Sequence, residues 1–261
     1  MNTKLLGIVD CEKHPIESEV YRAHCKKILD AEGLLVLQNL VLPEAIQEIL
    51  DDAGRKKHLA YYCTNEHNVY LAPSDEFFAL SHARNRTVVS SKGCITDDQV
   101  SVKSPLRILY NASEFQDFLC ALLGEESLYK YDDNLSSINI HYAHEGQELG
   151  WHFDNSSFAI TLLIQEPEAG GIFEYVRDFR DSANNKMNYE GVKGLLNGEY
   201  TPSVLSIEPG DLVLFRGRNS VHRVTPTKGG RVRILSVLAY NTEPGVQLSE
   251  SARMTFYGKL N

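Results

Sequence analysis

Beyond residue 135 the chain breaks into six short runs rich in β-branched and aromatic residues, at 136–142, 158–165, 171–176, 203–207, 212–216 and 232–240. Each is bounded by Gly, Pro, Asn or Asp, the punctuation of strands joined by turns. Short strands at this spacing are stable only when they close into a barrel or stack as a sandwich. Before residue 135 the pattern differs. Residues 17–31, 43–56 and 114–123 carry helical spacing, with Pro43 at a first-turn position and Gly33 and Gly124 as stops. Residues 34–40 read as a strand, and 185–197 as a loop with a helical turn. The expected class is α+β, mainly β: a double-stranded β-helix (a cupin-like jelly roll) supported by N-terminal helices.

No linker or repeat divides the 261 residues. A single domain over 1–261 is expected, with 1–134 as helical support and flanking strands, 135–245 as the core, and 246–261 as a C-terminal extension. No apolar stretch approaches the roughly 20 residues of a membrane span. The first ten residues lack a signal-peptide pattern. Five scattered cysteines without a C-x-x-C pair fit free thiols in a reducing compartment. A cytoplasmic protein is the expectation. The net charge of -9 disfavours nucleic acid, since an acidic domain repels phosphate backbones unless it carries a basic stripe. The nearest thing to a stripe is Arg216, Arg218, Arg223, Arg231 and Arg233.

The chemistry concentrates in Gly150-Trp151-His152-Phe153-Asp154. Residues two apart on a strand face one side, so His152 and Asp154 can address one metal ion. A second imidazole comes from His222, which follows Pro209-Gly210-Asp211 and the strand 212–216. Two imidazoles and one carboxylate form a facial triad that leaves coordination positions open and suits Fe(II). Alone, neither the H-x-D pair nor His222 says much, because each occurs by chance in structural roles. Their combination with an Arg on the following strand is far more specific.

Open positions suit 2-oxoglutarate, which chelates iron through its keto and C1-carboxylate oxygens and leaves room for O2. Its far carboxylate needs a cation, best an Arg fork. Arg233 is favoured because it lies deeper in the apolar run 231–235; Arg231 is the alternative. Asn139 and His141 share a strand face that is either a pocket wall or hydrogen-bonded packing. Asn155, next to the carboxylate, is a candidate for orienting substrate or for supporting the metal ligand beside it. Trp151 points away from its neighbour His152 and reads as packing, and Glu174 as a pocket-edge residue or, by preference, a solvated strand carboxylate. Segments 63–75 and 177–188 are long and polar, hence lid candidates.

The stretches GWHFDNSSFAITLLIQEPEAGGIFEYV, PGDLVLFRGRNSVHRVTP and RVRILSVLAYNTEPG resemble the Fe(II)/2-oxoglutarate-dependent dioxygenase superfamily, and within it the bacterial BesD/HalD-like group. The resemblance implies a jelly roll, Fe(II), 2-oxoglutarate and O2 as cofactors and co-substrates, release of succinate and CO2, and a free amino acid or derivative as substrate. Chlorinases of that group carry Gly where the carboxylate ligand stands. This chain carries Asp154, which implies hydroxylation of an unactivated C–H. The expected partner is thus a small polar molecule, with neither nucleic acid nor membrane. One rival is a cupin-type metal-dependent isomerase or small-molecule binding protein without oxygenase activity. It would need no Arg after the distal His. A metal-free regulatory protein with a decayed site is the other, and the presence of all three ligands argues against it.

Overall fold

The computed structural model describes residues 3–261. Helices α1 (Thr3–Leu6) and α2 (Glu19–Glu32) precede strand β1 (Leu34–Leu37) and helix α3 (Pro43–Lys56). Then come β2 (Tyr61–Asn68), β3 (Thr87–Ile95), α4 (Pro105–Asn111), α5 (Ser113–Leu123), β4 (Ile138–Ala143), β5 (Leu149–His152) and β6 (Ala159–Gln165). The remainder is β7 (Ala169–Gly170), β8 (Phe173–Val176), α6 (Tyr189–Leu196), β9 (Ser203–Leu205), β10 (Leu212–Phe215), β11 (Val221–Val224), β12 (Thr227–Lys228), β13 (Arg233–Leu238) and α7 (Glu250–Tyr257).

One antiparallel sheet runs in the order β1-β10-β6-β13-β4-β3-β5-β11-β8-β9, with β2 attached to β3. Strand β3 turns the corner. Its C-terminal part pairs with β4 (Cys94 opposite His141), while Ser90 pairs with Leu149 of β5. The sheet therefore curls into two halves that face each other, the jelly roll expected from the strand spacing. T-shaped contact between Phe173 of β8 and Phe215 of β10, at 5.2 Å, bridges the halves.

Strand alternation sorts side chains between two environments. In β4, Ile138, Ile140 and Tyr142 pack on the helices, while His141 and Ala143 line the interior. In β13, Ile234 faces the helices, and Arg233, Leu235 and Val237 face inward. Helices α2 to α5 back this half with fully buried Leu29, Ile49, Leu106, Leu109, Phe115 and Phe118. In α3, Ala45, Ile46, Ile49 and Ala53 recur at helical spacing and form its buried stripe.

The other half has a different backing. Trp151, Phe153 and Val221 point outward into a second apolar cluster with Val69, Tyr70, Ala83, Phe179, Val192 and Leu195. That cover is loop plus the two-turn helix α6, which is more regular than the helical turn expected at 185–197. Two further expectations need correcting. Residues 63–68, read as part of a polar lid, are strand β2 in full register with β3, Cys63 opposite Lys92. The strand expected at 34–40 stops at Leu37.

Among the described residues the cysteines are free thiols, and no helix is long and apolar enough to cross a membrane. The arginine cluster does not form an open stripe. Arg216 pairs with Asp30 at 2.6 Å, Arg223 with Glu174 at 2.6 Å and Arg231 with Glu166 at 3.5 Å.

Candidate metal centre

Strands β5 and β11 set His152 directly opposite His222. Asp154, just past the end of β5, is held by a backbone bond from its N–H to the Gly217 carbonyl at 3.1 Å. Between the two, Phe153 faces outward. It stacks on Tyr70 at 5.6 Å, and the Arg180 guanidinium lies 4.2 Å from its ring. The same alternation that buries Trp151 and Phe153 behind the sheet therefore aims His152 and Asp154 into the cavity.

There the donor atoms converge. Asp154 Oδ1 lies 3.7 Å from His152 Nε2 and 3.5 Å from His222 Nε2, and the three donors fall within 4.8 Å of one another. Each imidazole uses its other nitrogen to donate to a carbonyl two residues back. His152 Nδ1 reaches Gly150 O at 2.8 Å, and His222 Nδ1 reaches Ser220 O at 3.0 Å. These bonds fix the tautomers, so both Nε2 lone pairs point to the common centre. Burial, then the neighbouring His222, pushes His152 down to about 3, which keeps its Nε2 free of a proton. Burial alone would raise the Asp154 carboxyl, but His222, His152 and Arg180 outweigh it and hold it below the usual range.

Two facing lone pairs beside a carboxylate are electron-rich, and among the described residues no Lys or Arg forms an ion pair with Asp154. Asp154 Oδ2 is moreover buried without a hydrogen-bond partner. The donor set thus fits a divalent metal and is poorly satisfied otherwise. Gly217 makes room for it: a Cβ there would fall 1.9 Å from Asp154 Oδ2.

The donors line a cavity of about 350 Å³ that Arg233 shares. Arg233 is 8% exposed, and no carboxylate pairs with it among the described residues. Burial pushes its guanidinium down to about 10. Gly171 abuts it, since a Cβ there would meet Arg233 Cδ at 2.8 Å. Arg231, the alternative anchor, is exposed and bound to the Pro167 carbonyl at 3.0 Å.

His141 lines the cavity, but Asn139 does not. Asn139 is buried, donates to the Leu135 and Ile138 carbonyls, and accepts from the Tyr257 hydroxyl at 2.9 Å, so its face of β4 is split between packing and pocket. Asn155 is exposed, and its carbonyl accepts from Arg218 at 2.7 Å. Trp151 packs as expected, with the Arg223 guanidinium 4.8 Å from its ring. Glu174, expected in solvent, instead pairs with that Arg223. Segment 177–188 is tied to the turn before β11, with Phe179 N–H donating to Asn219 O at 2.8 Å. Sequence reasoning did not single out Lys92, Gly217 or Arg180. Only tertiary proximity marks them.

A family model described as Halogenase D matches residues 17–255. No curated protein matches the sequence. Among solved structures, similarity extends to a 2OG-Fe(II) oxygenase family oxidoreductase from Burkholderia pseudomallei, at 13% identity and TM-score 0.53, covering 88% of this chain and 95% of that one. A Pseudomonas putida prolyl-4-hydroxylase is similar at 13% identity and TM-score 0.50, covering 83% and 96%. The epimerase SnoN, solved with Fe3+, alpha ketoglutarate and nogalamycin RO, is similar at 11% identity and TM-score 0.56, covering 85% and 84%. These three likenesses concern the fold. The outcomes their names carry differ, from hydroxylation to epimerisation.

Proposed function

The chain belongs to the halogenase D family of iron- and 2-oxoglutarate-dependent oxygenases, and from that premise we propose that it hydroxylates an unactivated C–H bond of a small polar molecule, a free amino acid or derivative first. His152, Asp154 and His222 would hold Fe(II), and Arg233 the far carboxylate of 2-oxoglutarate. Bound iron, with 2-oxoglutarate and O2, supplies the oxidising equivalents, and succinate and CO2 leave. We further propose that residues 1–261 work as one domain in the cytoplasm.

One observation carries the proposal. The cavity that gathers three metal donors also contains a buried guanidinium that pairs with no carboxylate among the described residues. A buried cation costs several kcal/mol unless an anion meets it, and a planar fork suits a carboxylate. A cupin without oxygenase activity has no need of that anion. Asp154 supports hydroxylation over halogenation, because it occupies the position that chlorinases of the resembling group leave to chloride.

The protein's own contribution is arrangement. Gly150 and Ser220 carbonyls hold the imidazoles in the metal-binding tautomer. The Gly217 backbone holds Asp154. Phe173 and Phe215 pack on His222 at 5.5 and 4.8 Å and keep water from its ring.

Anaerobic titration with Fe(II) and 2-oxoglutarate tests the reading. A weak visible charge-transfer band is expected, and its absence from folded protein overturns the oxygenase assignment. A screen of free amino acids for substrate-dependent succinate release, followed by product mass, then identifies what is hydroxylated.

A further inference from the structure

Arg233 shares the cavity with a second cation. Lys92 lines it too. It lies in β3 between Ser90, which pairs with β5, and Gly93, which pairs with Tyr142 of β4, at the corner joining the two half-sheets. Its Nζ donates to His141, 3.0 Å from Nε2. Burial, then the charges of Lys92 and Arg233, pushes His141 well below its ordinary range, so the ring is a neutral acceptor.

An ammonium has three N–H donors. Among the described residues His141 is the hydrogen-bond partner of Lys92 Nζ, and no carboxylate pairs with it. Phe256 of α7 covers it, with its ring centroid 5.8 Å from Nζ. Ala143, the register partner of Arg233, follows Tyr142, the partner of Gly93. Continuing that register by one residue sets Lys92 beside Ala143. Lys92 and Arg233 thus flank a methyl group, with open cavity before it.

The charges do not balance with one ligand role alone. If Arg233 meets the far carboxylate of 2-oxoglutarate, Lys92 remains a half-buried cavity cation without an anion, which is costly. We propose that Lys92, steadied by His141, is a second carboxylate-binding subsite of the cavity. This rests on the oxygenase reading for the role of Arg233. The carboxylate has two possible sources, the far end of 2-oxoglutarate shared with Arg233, or a separate carboxylate on the substrate.

Binding without turnover distinguishes them. Protein loaded with Mn(II) is titrated calorimetrically with 2-oxoglutarate and with 2-oxobutyrate, which lacks the far carboxylate. Protein saturated with Mn(II) and 2-oxoglutarate is then probed with acetate by saturation-transfer NMR. A shared carboxylate predicts that Lys92→Met weakens 2-oxoglutarate by about tenfold or more and spares 2-oxobutyrate. A separate one predicts unchanged keto-acid affinities and loss of the wild-type acetate signal. Lys92→Arg restores binding in either case, and Lys92→Gln, which keeps a donor for His141, serves if Met disturbs folding. Wild-type behaviour of the Met or Gln variant with all three probes overturns the subsite. Arg233→Ala run alongside separates the two claims. If it leaves 2-oxoglutarate affinity unchanged, the anchor assignment fails. If it weakens binding while Lys92 variants stay silent, only the subsite fails.

Discussion

The two halves of the roll are built alike and backed differently. Behind β1, β10, β6, β13 and β4 stand helices, with Phe115 and Phe118 fully buried against them. Behind β5, β11, β8 and β9 stand loops and the short helix α6, tied by single bonds such as Phe153 N–H to Val69 O at 2.9 Å. The helix-backed half presents Arg233. The loop-backed half presents His152 and His222, with Asp154 beside them. The difference teaches that stability and metal geometry are separable here. A helical layer resists change as a unit, whereas each donor on the other half depends on a few local contacts.

Mutations can break that contrast or sharpen it. The largest effect is expected at Asp154→Ala: succinate formation is lost outright, while the urea midpoint of metal-free protein holds, because the residue removed carries a partnerless buried oxygen. If the midpoint collapses, the donors are structural and the separation is false. Next comes Phe118→Ala, at about 3–5 kcal/mol of stability, with Mn(II) affinity of the folded protein unchanged by calorimetry. Loss of metal affinity there would show that the helical layer reaches the site. Arg233→Ala should weaken 2-oxoglutarate by about 30- to 150-fold, the worth of a charged hydrogen bond of about 2–3 kcal/mol. Arg231→Ala should leave it unchanged, and the reverse order moves the anchor. Gly217→Ala is the gentlest test. Displacement of the Asp154 carboxylate should weaken Mn(II) about tenfold, or about 1.4 kcal/mol, with urea unfolding nearly unaltered.

Much of this was legible because chemistry restricts residue types. Few spacings other than H-x-D on a strand put an imidazole and a carboxylate on one face, and the burial of Arg233 beside an exposed Arg231 follows from its place in an apolar run. Where no such restriction applies, the sequence is quieter. Strand β2 reads Tyr-Tyr-Cys-Thr-Asn-Glu-His-Asn, without the apolar alternation of a half-buried strand. It is a strand because β3 pairs with all of it. Helix α6 carries Gly191 and Gly194, which weaken helices. It forms because Asn188 caps it and Val192 and Leu195 bury themselves. Gly217 and Lys92 matter through neighbours far away in sequence, and no local pattern carries that.

The way the sheet ends also governs how copies of the chain meet. The path closes on β1, four residues long, and β9, three residues long. Edges so short give an approaching strand few hydrogen bonds to add. At these two ends a chain this rich in strands thereby offers little template for edge-to-edge addition.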